Sequence, residues 1–209
     1  MYQAIRWAIK KRVHIISMSW TIEKTNKNVR QIEDLDAAIK EAHKGRILMF
    51  GAASDQGFNS SNKPYPAKGT GVICIGAAKG SGHAEEVAEK DSDYLFPGGT
   101  LGIKLPRQQP TEDERPQTVS GSSFATALAT GLTSLILYCV DISKYGKEGH
   151  RESLQDYATM KLVFETMARV GGHPKYIGVE RFFKATFADF EWELDGKKEL
   201  DDAVEYIIR

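Results

Sequence analysis

Three short apolar stretches constrain the fold of this 209-residue chain more than any other feature. Residues 13–19, 46–52 and 71–77 are each typical of a buried strand. A segment with apolar side chains at helical intervals precedes the first stretch, and an amphipathic helix over residues 31–43 separates the first from the second. Strands joined in this way imply a right-handed parallel crossover. The sequence therefore predicts an α/β fold with a mostly parallel sheet covered on both faces.

The rest of the chain divides into regions of different character. Gly45 is placed to end the first long helix in a left-handed cap. Residues 80–116 are rich in Gly, Pro and charge, which predicts a meandering surface region with short strands near 94–96 and 101–103. Residues 122–140 are apolar almost all round, so we expect a central helix, the most deeply buried of the molecule.

Beyond residue 141 the chain becomes more charged. Amphipathic helices are predicted at about 151–170, 177–188 and 197–208. We therefore divide the chain into residues 1–140, which carry the strands and the apolar helix, and residues 141–209, a helical extension or the closing helices of the same domain.

Charge, hydropathy and cysteine content exclude several classes of function. The 28 basic and 28 acidic side chains cancel, so no bulk field favours nucleic acid or a membrane surface. No apolar run approaches the roughly 18 residues of a spanning helix, and no signal peptide is evident. Cys74 and Cys139 lie in apolar stretches, which is typical of free buried thiols. We expect a cytoplasmic protein that binds neither nucleic acid nor membrane.

One segment has the pattern of a hydrolase nucleophile. Residues 119–127 place a Gly-Ser-Ser turn at the start of a helix of small side chains. A serine there lies at the positive end of the helix, where its hydroxyl can attack and its backbone N–H can stabilise an oxyanion. The alternative is an ordinary helix N-cap, for which serine is a favoured residue.

Four segments in a fixed order resemble the subtilisin-like serine peptidases, or subtilases. Residues 121–126, Gly-Ser-Ser-Phe-Ala-Thr, are similar to the family's Gly-Thr-Ser-Met-Ala-Thr/Ser signature. Residues 50–57 resemble its Ala-Ala-Gly-Asn-x-Gly strand and turn, and residues 13–20 resemble its Val-Ile-Asn-Met-Ser-Leu strand. Residues 65–68 resemble the family's Tyr-Pro-Ala connection into the next strand. The resemblance covers residues 2–140 and implies a three-layer subtilisin-like fold without its N-terminal strands.

The resemblance also implies a function and the residues that perform it. It implies an endopeptidase that forms an acyl-enzyme on Ser123, takes a polypeptide and water as substrates, and needs no organic cofactor. Asp55 stands where the family has the Asn that completes the oxyanion hole, and Ser19, Trp20 and Thr21 would wall the primary specificity pocket. Many family members bind calcium, but no ligand cluster in this sequence suggests a metal site.

Two departures from the family pattern bear on activity. The family's catalytic Asp and His lie in segments N-terminal to everything present here, and none of the five histidines has the family's His-Gly setting. An ionised Asp55 can only accept hydrogen bonds, whereas the family's amide donates one to the oxyanion. Asp55 has a second interpretation, as a turn residue that bonds its own backbone. Thr21 replaces a glycine and predicts a narrowed pocket.

Three interpretations therefore remain. The chain is a subtilase part that is inactive alone, a non-catalytic interaction module derived from a protease, or the truncated product of a gene whose complete form is an active enzyme. Without the family's preceding strands, we expect an unpaired sheet edge and exposed apolar faces.

Overall fold

A computed structural model of the chain describes residues 1–55, 64–79, 92–99, 101–103, 117–144, 146–147, 149–172, 174–179, 201–202 and 204–206. The strands are β1 (Ile15–Met18), β2 (Leu48–Ala52), β3 (Val72–Ala78), β4 (Tyr94–Pro97), β5 (Leu101–Ile103) and β6 (Gln117–Val119). The helices are α1 (Tyr2–Lys10), α2 (Val29–Lys44), α3 (Ser122–Ile142), α4 (His150–Leu154) and α5 (Tyr157–Val170). Of the helix predicted at 177–188 only residues 177–179 are described, whereas in the helix predicted at 197–208 residues 201–202 and 204–206 are described and are helical.

The predicted α/β architecture is confirmed. Strands β1 to β4 form one parallel sheet in sequential order, with Ile15 opposite Leu48, Met49 opposite Val72, and Ile75 opposite Tyr94. Strands β5 and β6 form a separate antiparallel pair. Because the strands are parallel, their carboxyl ends all lie at the same end of the sheet, which is where open α/β sheets bind their ligands.

Helices cover both faces of the parallel sheet. Helices α1 and α2 pack on one face, where a first core contains Ile5, Leu35, Ile39 and Met49. Helices α3 and α5 pack on the other face, where a second core contains Phe50, Ile73, Phe164 and many of their apolar neighbours. Successive residues of β2 point to opposite faces, so Met49 contributes to one core and Phe50 to the other.

Both short strands predicted within residues 80–116 are present, as β4 and β5, but the predicted surface location is wrong for the first. Residues 94–96 were expected at the surface, but β4 completes the main sheet, and Leu95 and Phe96 are buried. The backbone of Leu95 also bonds to a following segment, donating to Lys175 O at 2.9 Å and accepting from Ile177 N–H at 2.8 Å. A four-residue apolar segment between Gly- and Pro-rich stretches carries too little periodicity to reveal this.

Helix α3 is less buried than its composition predicts. Its inner face is buried against the sheet, including Ala125, Thr126, Ala129 and Thr133. Its outer face exposes an apolar stripe of four side chains at helical spacing: Leu128, Leu135, Tyr138 and Ile142. By length and composition α3 could also span a membrane, contrary to our expectation that no segment would. Its inner face packs on a sheet, as does the core helix of an α/β domain.

Two local predictions are corrected by the backbone. Helix α2 does end before Gly45, but Gly45 has φ of −76°, and the left-handed residue is Arg46 with φ of 56°. The helix predicted at 151–170 is two helices, α4 and α5, because Asp156 caps α5 by accepting from the N–H groups of Ala158 and Thr159. Helix α5 packs in the second core together with α3. The division of the chain into residues 1–140 and 141–209 stays a prediction.

Candidate active site

A polar cleft lies at the carboxyl ends of β1 and β2. It has a volume of about 490 Å³ and is lined by Ser19, Trp20, Thr21, Glu23, Ala52, Ala53, Ser54, Asp55, Ser122 and Ser123. The five residues predicted from the sequence therefore line one cleft, although the segments that carry them lie far apart in the chain. Their individual roles stay predictions.

Glycine at position 121 sets the geometry where α3 begins. Gly121 has φ of 128°, a conformation that side chains rarely adopt, and its N–H donates to Gly98 O at 2.7 Å. A Cβ atom at this position would lie 2.9 Å from Asp55 Oδ2. Only glycine allows the Asp55 carboxylate to approach the N-terminus of the helix this closely.

Asp55 caps helix α3 from a distant turn. Its Oδ1 and Oδ2 both accept from the Ser122 N–H, at 2.9 and 3.1 Å, and the Ser122 hydroxyl donates to Ala53 O at 2.5 Å. The carboxylate thus satisfies a donor that the helix itself leaves unpaired, and its negative charge lies at the positive end of the helix. Both oxygens of Asp55 therefore bond the helix terminus, while the predicted alternative, a bond to the backbone of its own turn, involves residues after 55 that lie outside the described ones.

Ser123 and Ser19 exchange hydrogen bonds across the cleft. The Ser123 hydroxyl donates to Ser19 O at 3.2 Å, and the Ser19 hydroxyl donates to Ser123 O at 3.1 Å. These two contacts join the end of β1 to the first turn of α3. They also leave the Ser123 oxygen with its proton directed at a carbonyl, which cannot remove it.

The histidines of the described residues do not contact Ser123. His14 Nδ1 lies 3.2 Å from Arg151 Nη2, His43 packs edge-on against the Tyr157 ring, and His150 Nδ1 accepts from the Lys147 N–H. The remaining two histidines, His83 and His173, fall outside the described residues. No base for Ser123 is therefore present in the part of the chain that the structure describes.

An oxyanion would meet one favourable donor and one unfavourable group in this cleft. No acceptor among the described residues bonds the Ser123 N–H, which lies in the first turn of α3 and can donate to a substrate oxygen. Asp55 presents two acceptor oxygens nearby, which would repel a developing negative charge while ionised. Among the described residues, the cleft therefore offers one oxyanion donor and no base.

Of the cleft residues that the sequence did not identify, two contribute charge or hydrogen bonds that matter here. Ser122 ties Asp55 and Ala53 to the helix, and Glu23 adds a second carboxylate to the lining. The position of Ser122 beside the nucleophile was a usable signal, but Glu23 had none, because its place depends on how the loop after β1 folds back. Within the described residues, no group of three or more His, Cys, Asp or Glu side chains could hold a metal ion.

Comparisons with known proteins agree with the geometry. Residues 1–169 match the subtilase family, Peptidase_S8. The chain is 32% identical over 178 residues to the subtilisin-like protease het-Q2 of Podospora anserina, an alignment that covers 81% of this chain and 44% of that protein. It is 30% identical over 137 residues to a thermostable alkaline protease of Halalkalibacterium halodurans, covering 64% of this chain and 34% of the other. The chain thus spans less than half the length of these relatives.

Solved structures show the same fold at lower identity. The PatG macrocyclase in complex with peptide has a TM-score of 0.61 at 19% identity, covering 89% of this chain and 55% of the other. A lanthipeptide protease has a TM-score of 0.63 at 15% identity, covering 87% of this chain and 64% of the other. The family match extends beyond residue 140, where the sequence resemblance was expected to end. Together with the cleft, these matches show that the chain belongs to the subtilase family.

Proposed function

We propose that the chain is the nucleophile-bearing part of a subtilisin-like serine endopeptidase. Family membership supports a serine-protease type of function. The observation that carries the proposal is the cleft itself, because Ser123, Asp55 and residues 19–21 converge there from three separate segments. The same positions would have no reason to meet at a helix N-terminus if Ser123 were an ordinary capping residue, and the cap is in fact supplied by Asp55.

In this proposal Ser123 Oγ forms a bond to the carbonyl carbon of the substrate peptide. The carbonyl oxygen becomes an oxyanion that the Ser123 N–H stabilises, and collapse of the tetrahedral intermediate expels the amine. Water then releases the acyl group. Both steps need a base that takes the serine proton and returns it to the leaving group, and the contacts of Ser123 show none among the described residues. In this proposal the base comes from a segment outside the described residues.

The second candidate function is a non-catalytic module that binds peptides or proteins. Two observations favour it: the Ser123 hydroxyl is bonded to a carbonyl, and a carboxylate stands near the oxyanion position. An active enzyme needs a base beside the Ser123 hydroxyl and a hydrogen-bond donor at the oxyanion position. The two candidates differ in what happens to Ser123 once a segment that supplies the base is present.

A fluorophosphonate probe tests the proposal directly, because it labels a serine only when a base activates it. We expect no labelling of the 209-residue chain alone, and stoichiometric labelling at Ser123 once the missing segment is supplied, from the complete gene or from a related protease. Loss of both triad partners costs about a millionfold in kcat in a related system. Ser123→Ala is the control for site specificity. No labelling in the completed protein would favour the non-catalytic module.

The location of the protein is a further proposal, the cytoplasm. Cys74 and Cys139 form no disulfide, as expected, and Cys74 is buried while Cys139 is half-buried. Burial raises the pKa of the Cys139 thiol, which leaves it less reactive to oxidants. One buried and one half-buried thiol that form no disulfide support a reducing compartment. Cell fractionation with an antibody against the chain would test this, and recovery in the culture medium would contradict it.

A further inference from the structure

The charge of the cleft points to a class of substrate. Two of its lining residues, Glu23 and Asp55, carry carboxylates exposed to solvent, and none of the described lining residues is Lys, Arg or His. A side chain that enters the cleft beside Ser123 therefore meets a negative potential that nothing in the described lining offsets.

Glu23 is held at the cleft by its backbone. On one side, Ile22 and Tyr65 exchange two hydrogen bonds, at 2.8 and 2.9 Å, which fix the loop that follows β1. On the other side, Asn28 Nδ2 donates to Glu23 O at 2.8 Å. A loop fastened at both places orders the position of the carboxylate before any ligand arrives, so less conformational entropy is lost on binding.

The two carboxylates differ in what they are free to do. Asp55 already accepts from the Ser122 N–H with both oxygens, so part of its charge is offset by the helix terminus. Glu23 makes no ion pair with any residue that the structure describes, and it is left to pair with a ligand. The half-buried indole of Trp20 lines the same cleft and offers a surface on which the methylene stem of a long side chain can pack.

We propose that the cleft selects peptides with a Lys or Arg side chain beside the carbonyl presented to Ser123, and that Glu23 is the residue that makes this selection. The inference rests on the proposed function, because it assumes that peptides enter this cleft. The ammonium or guanidinium group would pair with Glu23, while the stem lies along Trp20. Glutamate-bearing peptides would be repelled by both carboxylates.

Binding tests this without requiring catalysis. The probes are N-acetyl-Ala-Ala-Ala-Lys-amide and its norleucine and Glu analogues, since norleucine keeps the apolar stem of Lys and lacks its charge. The readout is the NMR signal of the Trp20 indole N–H, assigned with Trp20→Phe. At low ionic strength we expect the Lys peptide to bind about threefold or more tighter than the norleucine peptide, and the Glu peptide to bind weakest. At about 1 M salt, where the Debye length is about 3 Å, this preference should largely vanish.

Two variants distinguish the effect of Glu23 on peptide binding from the effect of the overall charge of the protein. Glu23→Gln should remove most of the preference for Lys and leave the affinity for norleucine unchanged. Glu33→Gln, at an exposed position of α2 outside the cleft, is the matched control and should leave the preference intact. Equal binding of the Lys and norleucine peptides, or a preference that survives in Glu23→Gln, would overturn the inference while leaving peptide binding established. If none of the three peptides shifts the NMR signal of the Trp20 indole N–H, the chain alone does not bind peptides in this cleft, and the inference is wrong.

Discussion

The two edges of the parallel sheet are finished differently. At the β4 edge, Leu95 pairs with the segment Lys175 to Ile177, and α5 closes over the strand, with Lys161 O accepting from the Tyr94 hydroxyl at 2.7 Å. At the β1 edge, β2 pairs with one side of Ile15–Met18, and no strand within the described residues pairs with the other side. Tyr138 of the exposed α3 stripe and Ile15 of β1 line a shared surface hollow of about 370 Å³.

The β4 side carries the packing that stabilises the fold, and the β1 side carries the candidate site. The β4 side holds aromatic packing and a half-buried ion pair between Lys161 and Asp93, whose Oδ2 also accepts from the Cys74 N–H. Burial lowers the pKa of Lys161, but the hydrogen bond and attraction of Asp93 outweigh it and raise that pKa overall. The β1 side holds the cleft, Ser123 with no base among the described residues, and exposed apolar surface. The comparison predicts that substitutions at the β4 side act on folding, and those at the β1 side act on reactivity or association.

The largest effect is expected at Phe164, the aromatic centre of the β4 side. Its fully buried ring lies 5.4 to 6.0 Å from the rings of Phe50, Tyr94 and Phe96. Phe164→Ala should lower the free energy of unfolding by about 3–5 kcal/mol, because it removes apolar contacts and leaves a cavity. Urea denaturation followed by circular dichroism measures this.

The matched control for Phe164 is on the same helix. Leu162 is 62% exposed, and Leu162→Ala should change the free energy of unfolding by less than about 0.5 kcal/mol. If the two variants were equally stable, α5 would not be part of the domain core, and the closing helix would be an accessory. The β4 side would then not be the side of the sheet that stabilises the fold.

The next largest effect is expected on kcat, from replacing Asp55 by Asn. In Asp55→Asn, the amide oxygen can still accept from the Ser122 N–H, while the new NH₂ group becomes able to donate to an oxyanion. In the completed, hydrolytic form of the protein, kcat should rise about a hundredfold at neutral pH with little change in KM, since the donor acts mainly in the transition state. Steady-state kinetics with a peptide substrate measures both constants.

Asp55→Ala distinguishes this donor effect from simple removal of charge. Alanine relieves the repulsion but supplies no donor, and it leaves the Ser122 N–H without its cap, which should cost about 1 kcal/mol of stability. We therefore expect a smaller gain in kcat than with Asn, together with a lower melting temperature. An unchanged kcat in Asp55→Asn would show that this side chain does not reach the oxyanion, despite its place in the cleft.

The sequence predicted the parts of the molecule that depend on local pattern. Apolar runs identified β1, β2 and β3, and helical spacing identified α1 and α2, because burial on a sheet or on one helix face imposes a periodicity. It predicted the strand at β4 but not its place in the main sheet, because four residues are too few to show a period. It also failed for the outer face of α3, because composition tells that a surface is apolar but not what covers it.

The candidate site was predictable in its segments but not in its contacts. The residues of the cleft follow from short motifs, whereas the bond between Asp55 and Ser122 joins positions 67 residues apart, and the bonds between Ser19 and Ser123 join positions 104 residues apart. Such contacts depend on the crossing of the α3 N-terminus over the ends of β1 and β2. Glu23 entered the site for the same reason, through the pairing of Ile22 with Tyr65.

The smallest effect on stability, but a clear one on association, is expected on the exposed α3 stripe. Leu128 is 45% and Leu135 is 54% exposed, so their replacement removes little packing. The double variant Leu128→Gln and Leu135→Gln should change the free energy of unfolding by less than about 1 kcal/mol. It should increase the monomer fraction of the isolated chain, because contiguous exposed apolar surface drives self-association. Analytical ultracentrifugation measures that fraction.

The control for the stripe lies on the opposite face of the same helix. Ala129 is fully buried against the sheet, so Ala129→Gln should destabilise the fold by forcing a larger polar side chain into the core, and it should worsen association. Opposite outcomes for substitutions one residue apart would show that α3 has one face committed to the sheet and one face without a partner. A monodisperse monomer already in the unmodified chain would mean that the β1 side is complete as it stands, and the contrast between the two edges would then be one of shape alone.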